Sequence, residues 1–304
     1  MAFERKTLQI PSITDGIYLD VWFYKPTGNA PYPVIVAGHG MTAVKEAGMS
    51  AFGERWATDA GFASLIFDYR FFGNSGGQPR NLLDLDKQLE DFRSVVQWAR
   101  SQDIFLDTKI VVMGSALGSL NACRIALDDP AIAGVMAHSP MLDGYATVMA
   151  AGFNPRLVFW ATIDQIRSML GLSPLFIRAV GKEGQFALLN SPSSYPGFVK
   201  MFEHSSVPFT DAPNLVSPRV VFQMMGVRPG LSLKRAKFPV LLVIPQEDDM
   251  IPLKVARDIA AQSPKIITVV ESPGAHFDVM PGEMGYDVNI EAQIKFLQRI
   301  KEVV

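Results

Sequence analysis

Lys109-Ile-Val-Val-Met-Gly-Ser-Ala-Leu-Gly-Ser-Leu-Asn-Ala-Cys-Arg-Ile-Ala-Leu127 joins two periodicities through a pair of glycines. Ile110 to Met113 form a short apolar run rich in β-branched residues, the pattern of a strand buried in a parallel sheet. From Leu117 the spacing changes: Leu117, Leu120, Arg124 and Leu127 recur at helical intervals among alanines, which favour a helix. Between the two lies Gly114-Ser115-Ala116-Leu117-Gly118. A strand that turns straight into a helix forces the central residue into a strained conformation with its side chain exposed at the sheet edge. The residues two before and two after must be small, because the strand and helix backbones pass close together, and Gly114 and Gly118 meet that need. The form is Gly-x-Ser-x-Gly, a turn that presents a nucleophile, with alanine at its centre. The helix that follows directs free N–H groups and the positive end of its dipole at the turn, where they stabilise an anion.

Ala116 cannot attack a carbonyl. Three readings stand: a nucleophilic serine replaced by alanine, a natural non-catalytic relative, or a chance match of the turn. Shifting the register rescues no serine, since Ser115 would need a small residue at Met113 and Ser119 one at Leu117. Cys123 falls on the helix beyond and reads as packing.

The rest of the chain repeats the strand–helix rhythm on both sides of this segment. Residues 6–10 read as an edge strand, and Ile17, Leu19, Val21 and Phe23 alternate as a second, half-exposed one. Strands follow at 33–38, 62–67, 133–138, 240–244 and 266–270. Helices are expected at 46–60, 84–101, 155–170, 253–261 and 290–300. About eight strands result, with the elbow after the fifth. This alternation is that of an α/β chain with a mostly parallel sheet and helices on both faces. After Ser139-Pro140 the rhythm stops. Residues 143–236 read as a cap inserted after strand 6, and residues 1–142 and 237–304 as the core domain. Aromatics spread through the cap, from Phe153 and Trp160 to Phe209 and Phe222, supply its core, with a few facing the site.

Length and composition bound the function. The 304 residues suffice for one large domain with an insertion; 48% are hydrophobic, 19% are charged and the formal net charge is −2. Nothing in that balance calls for nucleic acid or an anionic membrane. One cysteine excludes an internal disulfide and suits a reducing, cytoplasmic setting. Met-Ala-Phe-Glu-Arg-Lys lacks the apolar core of a secretory signal, and no apolar run reaches about 18 residues, so no membrane span is expected. No His, Cys and acidic cluster has metal-site spacing. The glycine-rich turn after Asp68 and Arg70 lacks the ending of a phosphate loop and reads as structural. No cofactor or metal is expected.

Asp248 and His276 each follow a predicted strand, on the edge where open α/β sheets place their sites. A serine hydroxyl is a weak nucleophile near neutral pH, so an imidazole must take its proton and a carboxylate must hold that imidazole in the right tautomer. Of His39, His138, His204 and His276, only His276 follows the last strand. Asp248 stands four residues before Pro252; Asp143 and then Asp249 are its rivals. His39-Gly40-Met41, after the third strand, offers the Met41 N–H, with that of Leu117, as an oxyanion hole. His39, His138 and Trp160 are the expected substrate contacts, His138 as a pocket wall, and Lys45 with Glu46 reads as a solvated ion pair.

These segments, together with Asp68-Tyr69-Arg70-Phe71-Phe72-Gly73-Asn74-Ser75-Gly76-Gly77, Pro239 to Pro252 and Gly274-Ala275-His276-Phe277-Asp278-Val279-Met280, resemble the α/β-hydrolase superfamily over nearly the whole chain. The His-Phe-Asp-Val-Met segment and long cap look like the dienelactone-hydrolase-like group of hydrolases, thioesterases and polyketide transferases from biosynthetic clusters; Ala116 departs from the pattern. The resemblance implies a serine-type acyl hydrolase or acyltransferase with position 116, His276 and Asp248 as its triad. Its substrate would be a hydrophobic acyl or polyketide ester or thioester, delivered by an acyl carrier protein. A ligand-binding protein without chemistry, or a lyase or isomerase using His276 and Asp248 alone, are the alternatives.

Overall fold

A computed structural model of the chain describes residues 3–203, 205 and 207–302; His204 lies outside them. Eight strands form one sheet: β1 (Phe3–Pro11), β2 (Tyr18–Pro26), β3 (Tyr32–Gly38), β4 (Ala63–Phe67), β5 (Phe105–Ser115), β6 (Ile132–His138), β9 (Val240–Pro245) and β10 (Ile267–Ser272). Their order is β1-β2-β4-β3-β5-β6-β9-β10. β2 pairs antiparallel with β1 and β4, and the other pairings are parallel. The strand order reverses direction between β3 and β5, which makes their C-terminal ends the crevice where such sheets bind ligands.

Register decides what meets at that edge. Gly38 pairs with Gly114, Ser115 with His138, and His138 with Val243. Loops that are remote in sequence therefore start side by side.

Helices cover both faces. α2 (Leu85–Arg100), α3 (Gly118–Asp128) and α8 (Leu253–Ala261) bury their apolar stripes with Val34, Val36, Val112 and Leu242. α1 (Met49–Arg55), a π-turn at Trp56–Ala60 and α9 (Tyr286–Glu302) cover Ile35, Ala37, Val111 and Val243. The Asp84 carboxylate caps α2 by accepting from the N–H groups of Asp86 and Lys87, as its position before an apolar-periodic run requires. β2 is not half-exposed: Leu19 through Phe23 are buried. Its second face, carrying Trp22 and Tyr24, lies under α1 and the π-turn, so alternation there separates two buried faces rather than core from solvent.

Between β6 and β9 the chain leaves the sheet. It forms α4 (Gly144–Ala150), α5 (Pro155–Met169), a two-stranded antiparallel pair of β7 (Ile177–Arg178) with β8 (Leu215–Val216), α6 (Ser194–Met201) and α7 (Val220–Gly226). Only α5 was long enough to show periodicity; it begins with an Asn154 cap and Pro155 in its first turn. A 3₁₀ turn at Pro229–Arg235 then packs against α3 and α8. Not all the aromatics here are core. Phe198 and Phe202 are buried, but Phe153 is 83% exposed and Phe159 57%.

Candidate active site

β5 passes into α3 through Ala116, whose φ is +47°. This is the left-handed region that costs an L-residue energy and persists only when its surroundings impose it. Here they do: the Ala116 N–H donates to the His138 carbonyl at 3.1 Å, and its carbonyl accepts from Ser119 and Met141 at 3.0 and 3.2 Å. The flanking glycines are obligatory. A Cβ on Gly114 would stand 2.5 Å from the Gly118 backbone, and one on Gly118 would stand 2.6 Å from the His39 carbonyl oxygen. Position 116 is thus the apex of the turn, and neither Ser115 nor Ser119 takes its place; the Ser119 hydroxyl donates to the Gly114 carbonyl.

His276 and Asp248 arrive from the loops after β10 and β9. One Asp248 oxygen accepts from the N–H groups of Met250 and Ile251, each at 2.9 Å. The other lies 2.8 Å from His276 Nδ1, with both side chains nearly fully buried. The carboxylate orients the ring so that Nδ1 carries hydrogen and Nε2 is left without a partner in the chain. Burial opposes the charge on Asp248, but the adjacent imidazole and the two N–H donors outweigh it and hold the carboxyl below its ordinary range. The histidine loop is itself pinned. Asp278 accepts from the Ala275 N–H at 2.7 Å, and the Ser139 hydroxyl donates to the His276 carbonyl at 2.7 Å.

The rival acids have other work. Asp143 caps α4 and forms a two-pronged pair with Arg228, both contacts at 2.9 Å. Asp249 accepts from the N–H and hydroxyl of Ser193 and tethers the start of α6 to the core.

Met41 and Leu117 both line the cavity above the elbow, and neither N–H donates to an acceptor among the described residues. That leaves two donors and the N-terminus of α3 facing the Ala116 methyl. His39 also lines the cavity; its Nδ1 donates to the Gly40 carbonyl at 3.0 Å and its ring sits edge-on to Tyr69. Burial pushes its pKa down, so it is neutral.

Lys45 corrects the expectation of a solvated pair with Glu46. Its side chain is completely buried and its ammonium bridges Asp20 and Asp68, each at 2.6 Å. The same Asp68 accepts from the backbone N–H groups of Lys45 and Asn74, so this cluster ties the loop after β3 to the glycine-rich turn after β4.

The cavity measures about 290 Å³. Methionines dominate its wall, among them Met41, Met141, Met224, Met225, Met250 and Met280; Phe198, Phe222 and Leu157 contribute the rest of the apolar surface. The methionines and Ser139 escaped the sequence reading, because residues spread over six loops and helices share no spacing. For Ser139 a signal existed in its place at a strand end just before Pro140. Its φ is +44°, and its N–H donates to the Val243 carbonyl.

Two expected contacts are not on the wall. His138 is fully buried under the sheet edge, where it receives the Asn289 amide at 3.0 Å and packs on Phe52; burial, then the nearby His276, lower its pKa to about 3. Trp160 sits on α5 beside Leu157, Val158 and Ala161, which do line the cavity. At about 100° per residue it projects off their face, and it packs edge-on against Phe159. Cys123 is buried and its thiol is pushed up to about 12, which makes it inert. Among the described residues no three His, Cys or acidic side chains group to hold a metal ion, and no helix is long and apolar enough to cross a membrane.

A reversal of strand order between β3 and β5, with an elbow, an acid and a histidine reaching one edge in that chain order, defines an α/β-hydrolase. The chain belongs to that fold's serine aminopeptidase S33 family, which matches residues 29–276. It is 32% identical over 300 residues to the quorum-quenching protein AidA of Acinetobacter baumannii, covering 97% of this chain and 96% of the relative. It is 29% identical over 293 residues to the polyketide transferase ATR5 of Stachybotrys chlorohalonatus, covering 94% of each. Among solved structures, DcsB in complex with its substrate analogue superposes with a TM-score of 0.79 at 22% identity, over 97% of this chain and 99% of that one.

Proposed function

We propose that this chain carries the site of a serine-type acyl hydrolase or acyltransferase for a hydrophobic acyl or polyketide ester or thioester, with alanine in place of the nucleophile. The observation that carries the reading is Ala116 at φ +47°, on the wall of the cavity that also holds a His276 ring oriented by Asp248 at 2.8 Å. With serine at 116, His276 would accept the hydroxyl proton as the oxygen attacks the acyl carbonyl, and the Met41 and Leu117 N–H groups would receive the negative charge on the carbonyl oxygen. His276 would then protonate the departing alcohol or thiol. Water, an internal hydroxyl or an outside alcohol would release the acyl group as acid, lactone or ester.

Residues 143–236 serve in this reading as the cap whose apolar side chains receive the acyl chain, and methionines let that wall adapt to its shape. The relatedness to a polyketide transferase supports the acyl class, and with it delivery on an acyl carrier protein. Ala116→Ser tests the proposal: turnover of p-nitrophenyl and N-acetylcysteamine acyl esters rises by on the order of 10⁴–10⁶ over the alanine form. No gain over background would refute it.

Ala116 itself favours a second reading, a non-catalytic ligand-binding protein built on the same pocket. It predicts ligand binding and no turnover after the serine is introduced.

A further inference from the structure

Polar groups are distributed very unevenly in the cavity. Among the described residues lining it there is no Lys, Arg, Asp or Glu. Its upper wall is methionine, phenylalanine and leucine. At its floor, two N–H groups without acceptors, those of Met41 and Leu117, stand with the N-terminus of the 11-residue α3. Beside them is His276, 4% exposed, with Nδ1 held by Asp248 and Nε2 free. A serine at 116 would bring a hydroxyl into the space between imidazole and oxyanion donors. The methyl of Ala116 makes no hydrogen bond and leaves all three donors to a ligand.

We propose that the chain as it stands is a binding site for an apolar monocarboxylic acid, whose carboxylate occupies the elbow and whose hydrocarbon tail fills the methionine-lined cavity. One carboxylate oxygen accepts from the Met41 and Leu117 N–H groups and the other from His276 Nε2–H. The charge is matched by a proton taken from solvent: carboxylate plus neutral imidazole plus one proton gives carboxylate on imidazolium, with Asp248 on the far side of the ring. The groups facing His276 permit this. Asp248 favours the added charge, and Asp278 is engaged by the Ala275 N–H. His138, fully buried, is neutral and supplies no competing cation. Ser139 touches only the His276 carbonyl. An ester or an alcohol offers no second anionic oxygen, so neither draws on all three donors. Binding of this kind needs no nucleophile, and it stands on the geometry of the site rather than on turnover.

Calorimetric titration of the unaltered chain with decanoate, decan-1-ol and methyl decanoate tests it. Decanoate should bind at least about tenfold tighter than either neutral probe. Titrations at about pH 8 in phosphate and in Tris should show uptake of close to one proton per decanoate bound. His276→Gln should abolish both the uptake and the preference while still binding decan-1-ol. Equal affinities, absence of proton uptake, or no binding of decanoate would each overturn the proposal. Ala116→Ser separates it from the acyl-transfer reading. Turnover in that variant without acid preference in the parent chain refutes only the acid site; acid binding by the parent without turnover in the variant refutes only the acyl-transfer reading.

Discussion

The carbonyl oxygen of His39 lies 2.6 Å from where a Cβ on Gly118 would stand, so the loop after β3 and the helix after β5 touch through backbone alone. That contact sets the spacing between the two N–H donors above Ala116. Gly118→Ala pushes the loops apart and costs about 2–3 kcal/mol as overpacking. A thermal melt should read this as a fall of roughly 4–8 °C in Tm. An unchanged melt would mean that the loops do not meet as described.

Asp248 holds His276 by one oxygen while the other is locked on two N–H groups. In the Ala116→Ser protein, Asp248→Asn preserves shape but reverses the preferred tautomer of the ring, and kcat falls by on the order of 10⁴. Asp143→Asn, at the pair with Arg228, leaves kcat largely unchanged. Steady-state kinetics on both variants would expose a wrong choice of acid by the opposite ranking.

Lys45 is the sole cation printed between Asp20 and Asp68, and it is fully buried. Lys45→Met strands two buried carboxylates and costs about 3–5 kcal/mol. The melt should fall by roughly 10 °C. A loss too small to measure would show that the cluster is hydrated rather than dry.

His138 makes stability depend on pH. Its pKa is lowered by burial to about 3, below the ordinary histidine value of 6.5. The unfolded chain therefore binds a proton that the folded one refuses between those limits. The stabilisation is complete above pH 6.5 and is lost progressively as pH falls toward 3. His138→Asn should flatten the dependence of urea midpoint on pH across that window. An equal slope in both proteins would place the effect elsewhere.

Much of the core was legible because its causes are local. An apolar run of β-branched residues between turns must be a buried strand, and Gly114 and Gly118 around Ala116 mark a turn that no larger residues allow. The order of elbow, acid and histidine followed from strands that could be counted. The segment between β6 and β9 resisted, since helices of seven or eight residues show little periodicity and owe their stability to packing.

Residue identity alone settled that position 116 bears a methyl, that the chain alternates strand and helix, and which side chains stand at strand ends. Tertiary structure alone decided which of them share a wall. Parallel pairing aligns Gly38, Gly114, His138 and Val243 along one edge, and that edge sends His276 to the cavity while His138 stays beneath the sheet. Whether a polar residue faces ligand, solvent or core depends on register and on what packs above it. For Lys45 and Trp160, those relations join parts of the chain too distant for any local pattern to record.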